Sequence, residues 1–119
     1  MAQLYRTQDT EEYYFEERCY VRELLNAADA PDLSIAQARV TPGTTTVWHA
    51  LQSTELYYIL SGRGRAEVAD QQWEVGPGDL VRIAPTERQR ITNIGTEDLV
   101  FLAICQPRFQ VEDYTDLEA

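Results

Sequence analysis

Gly43-Thr44-Thr45-Thr46-Val47-Trp48-His49-Ala50-Leu51-Gln52-Ser53-Thr54-Glu55-Leu56-Tyr57-Tyr58-Ile59-Leu60-Ser61-Gly62 is the stretch that decides the fold. It is rich in β-branched and aromatic residues, broken by a short polar turn and closed by glycine. Side chains alternate along a strand, so positions 49 and 51 face the same way. If His49 faces an interior, Leu51 does too, and Glu55 joins them after the turn. His49 is also the only histidine in 119 residues. A multi-histidine metal centre is therefore excluded, and the chemistry turns on what one imidazole can do.

Outward from this stretch, short apolar segments recur between turn residues. Candidate strands are Arg18–Leu25, Leu33–Val40, Thr44–His49, Glu55–Leu60, Arg65–Ala69, Gln72–Val75, Leu80–Ile83, Arg88–Thr92 and Leu99–Cys105. Ser34–Val40 alternates polar and apolar residues nearly step by step. Turns fall at Pro42-Gly43, Ser61-Gly62-Arg63-Gly64, Asp70-Gln71, Gly76-Pro77-Gly78-Asp79 and Asn93-Ile94-Gly95. Regular short strands of this kind predict an all-β sandwich or barrel. Glu23–Ala30 has the makings of one helical turn, stopped by Pro31. The last nine or ten residues read as a tail or a short terminal helix.

The length predicts one domain with a real core. Its expected parts are an N-terminal arm (1–17), a barrel (18–106) and a C-terminal tail (107–119). A net charge of −10 argues against nucleic acid and anionic membranes as partners. No apolar run approaches the roughly 20 residues that span a bilayer, and the first residues carry no signal-peptide pattern. A cytoplasmic location is the expectation, with Cys19 and Cys105 as free, buried thiols. Acidic residues cluster at the ends, among them Glu11, Glu12, Glu16 and Glu17, and read as a solvated surface. All ten basic residues are arginine, which excludes lysine Schiff-base chemistry.

Two spaced motifs carry a resemblance. Gly43, His49, Leu51, Glu55 and Gly62 keep the spacing G-x5-H-x-H-x3-E-x6-G. Gly78, Ala84, Thr86, Gln89 and Asn93 keep the spacing G-x5-P-x-G-x2-H-x3-N. In both spacing and order the chain resembles the cupins, small jelly-roll barrels built as a double-stranded β-helix. The resemblance covers the central half directly and implies that fold for the whole. It also implies a divalent metal ion (Zn, Ni, Fe or Mn) at four positions, occupied here by His49, Leu51, Glu55 and Gln89. Leu51 cannot coordinate, and Gln89 offers only a neutral amide oxygen. The implied metal set is therefore thinned to His49, Glu55 and Gln89, with water completing it. An ion so held would keep net positive charge and favour a small anionic ligand.

Without a metal, His49, Glu55 and Gln89 can satisfy one another as a buried polar cluster. His49 and Glu55 are the candidate catalytic residues, Glu55 as a general base. Candidate pocket residues are Tyr57, Tyr58, Arg82 and Cys105. Tyr57 and Tyr58 are adjacent, so only one can face inward. Arg88 and Arg90 should point away if Gln89 points in. Tyr13-Tyr14-Phe15 could pack on a second subunit, since small cupins commonly form homodimers. Two functions stay open: a metal-dependent enzyme of oxygenase, isomerase or lyase type, and a non-catalytic metabolite-binding or sensor module.

Overall fold

A computed structural model of the chain describes residues 2–119. Its strands are β1 (Tyr13–Phe15), β2 (Cys19–Leu25), β3 (Ser34–Val40), β4 (His49–Leu51), β5 (Thr54–Ser61) and β6 (Gly64–Val68). They continue as β7 (Gln71–Val75), β8 (Leu80–Ile83), β9 (Gln89–Asn93), β10 (Leu99–Gln106) and β11 (Tyr114–Asp116). A six-stranded sheet runs β1-β2-β3-β10-β5-β8, and a five-stranded sheet runs β11-β4-β9-β6-β7. Neighbouring strands pair antiparallel throughout. This is the expected all-β jelly roll.

The alternation read from the sequence sorts the side chains. On β5, Glu55, Tyr57 and Ile59 face inward, while Leu56, Tyr58 and Leu60 face out. Val40, Ile59, Ile83, Ile91, Leu99 and Phe101 belong to the hydrophobic core and are almost wholly buried. Each such side chain contributes about 1.5–3 kcal/mol of transfer free energy. Beside this core stand buried polar groups, His49, Ser53, Glu55 and Gln89, with Glu55 directly across from Ile83.

The second motif's Asn93 is a structural residue. Its Nδ2 donates to Val40 O (2.9 Å) and Glu97 O (2.7 Å), and its Oδ1 accepts from Gly95 N–H (2.9 Å). One side chain thus satisfies backbone groups of a turn and of β3. Gly62 has φ +87°, and a Cβ there would stand 2.6 Å from the Asp98 carbonyl. The motif requires glycine at this turn for both reasons.

Three local expectations are corrected. Thr44–His49 is not one strand: β4 begins only at His49, and Thr45 makes a single bridge to Thr92. The reason is that Val47 N–H turns away to the Glu17 carbonyl (3.1 Å). Glu23–Leu25 belongs to strand β2, not to a helical turn, because β3 supplies its partners. The tail carries a 3-10 turn at Val111–Asp113 and then strand β11, paired to β4 across His49.

Candidate active site

His49 opens β4 and sits directly opposite Gln89 of β9. Its side chain is 2% exposed. Nδ1 lies 2.6 Å from Val47 O. A carbonyl only accepts, so Nδ1 carries the hydrogen and Nε2 of the neutral ring holds a lone pair. Burial pushes the His49 pKa down, against the pull of the Val47 carbonyl and the Asp116 charge. The ring stacks on Tyr114 of β11, with centroids 5.1 Å apart.

Facing Nε2 at 3.5 Å is Glu17 Oε1. The Glu17 side chain is only 14% exposed, which corrects its expected place on a solvated surface. Its position is fixed from several sides. Val47 donates to its carbonyl, and Arg18 (φ +70°) makes the turn into β2. Arg18 Nε donates to Thr45 O (2.8 Å), and its NH2 group pairs with Glu118 (3.0 Å). Glu118 in turn accepts from Trp48 N–H (2.7 Å). Arm and tail are therefore tied together over His49. Desolvation raises the Glu17 pKa well above the ordinary value, and the Glu55 charge raises it further.

Glu55 opens the inward face of β5 and is buried. Desolvation lifts its pKa to about 7, while the Gln89 amide and the Cys105 thiol pull back. Cys105 Sγ lies 3.7 Å from Oε2. Oε1 has no partner within hydrogen-bonding distance, and neither has Gln89 Nε2. Gln89 Oε1 is taken by the Tyr57 hydroxyl at 2.6 Å.

A cavity of about 80 Å³ lies against the six-stranded sheet, lined by residues of β1, β2, β3, β5 and β10 and by Phe109. Glu55, Tyr57 and Cys105 line it, as does Glu17. His49 and Gln89 stand behind the wall, touching Glu17 and Tyr57 respectively. Tyr58 and Arg82 belong to the outer face and do not reach the cavity, because both lie in the outward phase of β5 and β8. Arg88 and Arg90 point away as expected, pairing with Asp70 and Glu67. Burial pushes the thiols of Cys19 and Cys105 up, so neither is a thiolate near neutral pH.

The donor set does not fit a divalent ion as it is arranged. Leu51 has no donor atom, Gln89 Oε1 is engaged by Tyr57, and the Glu17 carboxyl stands before Nε2. Among the described residues, no three His, Cys, Asp or Glu side chains converge to hold a metal.

Residues 36–105 match the cupin domain model, and the chain belongs to the cupin family. It is 36% identical over 109 residues to an uncharacterised protein of Methanocaldococcus jannaschii, covering 89% of this chain and 87% of that one. It is 30% identical over 127 residues to a glucose-6-phosphate isomerase of Pyrococcus furiosus, covering 83% and 67%. Its fold superimposes on the oxalate decarboxylase of Bacillus subtilis with a TM-score of 0.81 at 21% identity. That match covers 98% of this chain but only 33% of the larger protein.

Glu17 is the site residue that sequence reasoning missed. A signal for it existed. Its odd-numbered position matches that of Phe15, Cys19 and Val21, which line the cavity with it, although Glu17 itself lies in the turn between β1 and β2.

Proposed function

We propose that this chain is a small-molecule cupin enzyme that works by proton transfer in the barrel cavity, of isomerase or lyase type. The observation that carries the reading is Glu55: buried, on the cavity wall, with Oε1 unpartnered and a pKa near neutrality. A general acid–base group is most effective when it titrates near the working pH. Glu55 exchanges the proton with the substrate. The His49–Glu17 pair, 3.5 Å apart, stands beside it as a second proton-holding couple. Tyr57 holds Gln89, and through it the floor of the site. The isomerase among the relatives has a name that fits proton-transfer chemistry, although fold alone selects no reaction.

The test is a thermal-shift screen of small metabolites, followed by NMR of the mixture for turnover. A ligand that stabilises the wild type, is converted by it, and is not converted by Glu55→Gln supports the reading. Stabilisation without turnover assigns the chain to the binding or sensor class instead. Zn, Ni, Fe and Mn are measured on the same protein, purified without chelator. A stoichiometric metal lost in His49→Ala would favour the thinned metal site at His49, Glu55 and Gln89.

The reading includes a homodimer and a reducing, cytoplasmic setting, which the two free thiols suit. Support for the dimer comes from the outer face of β5 and β8, where Tyr58 is 40% and Leu80 59% exposed. Leu60 adjoins them. Contiguous apolar surface of this kind marks an association face. Of the arm's aromatic triplet, Phe15 is used within the chain, packing on Phe109 and Tyr114. No helix among the described residues is long and apolar enough to cross a membrane.

A further inference from the structure

The cavity beside Glu55 has a charge and surface that the metal-based expectation of an anionic ligand does not match. Three carboxyl side chains line it: Glu17, Glu23 and Glu55. Five aromatic rings line it as well, among them Tyr57, Phe101 and Phe109. Among the described residues, no arginine and no histidine does, although the chain carries ten arginines. The arginine nearest in sequence, Arg22, lies in the opposite phase of β2 from Val21 and Glu23, which line the cavity.

We propose that this cavity binds a small organic cation: an ammonium head, primary or quaternary, on a short aliphatic stem. The proposal rests on the reading of the cavity as the small-molecule site and names the ligand class. An anion entering here would meet carboxyls and find no basic partner. A ligand with no hydrogen to donate would leave Glu55 Oε1 buried without a partner. An ammonium group meets both needs, since it donates to carboxylates and is drawn to aromatic faces. The rings favour an organic cation over a bare metal ion, because a metal needs converging donor atoms and none of the required number converge. The volume sets the size. An apolar cavity of about 150 Å³ accepts benzene, so 80 Å³ suits a head and stem of a few non-hydrogen atoms. Tyr13, half exposed at the rim, marks where a longer stem would leave.

The test is calorimetric and NMR titration of the full chain at pH 7.5 with propylammonium and tetramethylammonium chloride. Parallel titrations use 1-propanol, propionate and zinc chloride. Saturable binding of an ammonium salt is expected, at least about tenfold tighter than propanol, equivalent to 1.4 kcal/mol, with no binding of propionate. Glu55→Gln should weaken it about tenfold or more, on the same scale. Glu23→Gln, at the more accessible wall, should weaken it several-fold and guards against a Glu55 variant that does not fold. Propionate binding as tightly as propylammonium overturns the proposal, as does ammonium binding unchanged in both variants. Zinc that binds stoichiometrically and displaces the amine also overturns it, by assigning the carboxyls to a metal. Binding of propanol alone overturns the cation while leaving the cavity as the small-molecule site. Binding of none of the probes overturns both.

Discussion

At Glu55 a carboxyl group has left water without gaining an ion partner. Its protonated form is therefore favoured in the folded state, with a pKa of about 7 against an ordinary 4.5. The native protein binds more protons than the unfolded chain across that interval, so stability falls as pH rises through it. The full difference is on the order of 3 kcal/mol, at about 1.4 kcal/mol per pKa unit. Glu17, also raised, acts in the same sense. His49 acts in the opposite sense: its pKa is depressed below 6.5, so it costs stability only as pH falls below that value. Between pH 6.5 and 8 the carboxyls act alone. Thermal melts should show Tm falling across that range, and Glu55→Gln should flatten the fall; a Tm that is level or rising in the wild type would contradict this. His49, Glu55 and Gln89 were legible from motif spacing. Glu17 was not, because it lies 32 positions before His49 in an acidic run that reads as surface. The bond from Val47 N–H to its carbonyl and the turn at Arg18 bring it inward.

Among the elements, the two terminal segments do more than their composition suggested. β1 pairs with β2 and carries Phe15 to the site; β11 pairs with β4 and places Tyr114 over His49. Short strands of three residues carry little propensity signal, and what makes them strands is the partner already in place. Central strands such as β5 and β6 were legible because they alternate and are bounded by turn residues. The turn at Gly62 offers the sharpest test of local geometry. Gly62→Ala combines a left-handed φ with a Cβ 2.6 Å from a backbone oxygen. A loss of about 2 kcal/mol or more is expected in urea denaturation, within the range for strained backbone positions. Gly43→Ala, with φ +78° but nothing within 4 Å of the added Cβ, should cost less. Equal losses would show that the Asp98 contact is unimportant.

For the whole molecule, the pattern that was legible was the division of inside from outside. The barrel and its two sheets follow from period-two alternation and the spacing of two motifs. The electrostatic character of the cavity was not legible. It depends on Glu17 of the β1–β2 turn and Glu23 of β2 meeting Glu55 of β5, in a chain whose negative charge looked like surface. The proposed dimer face is the outer side of β5 and β8. Sedimentation velocity should give a dimer for the wild type, and Tyr58→Glu with Leu80→Glu should shift it toward monomer without loss of fold. A monomeric wild type at micromolar concentration would remove this face from the account. The central claim concerns the state of one carboxyl in that cavity, and the most direct measurement is a carbon-13 NMR titration of glutamate side chains, with Glu55 assigned by comparison with Glu55→Gln. The account predicts a Glu55 midpoint near 7; a midpoint near 4.5, the ordinary value, would contradict it.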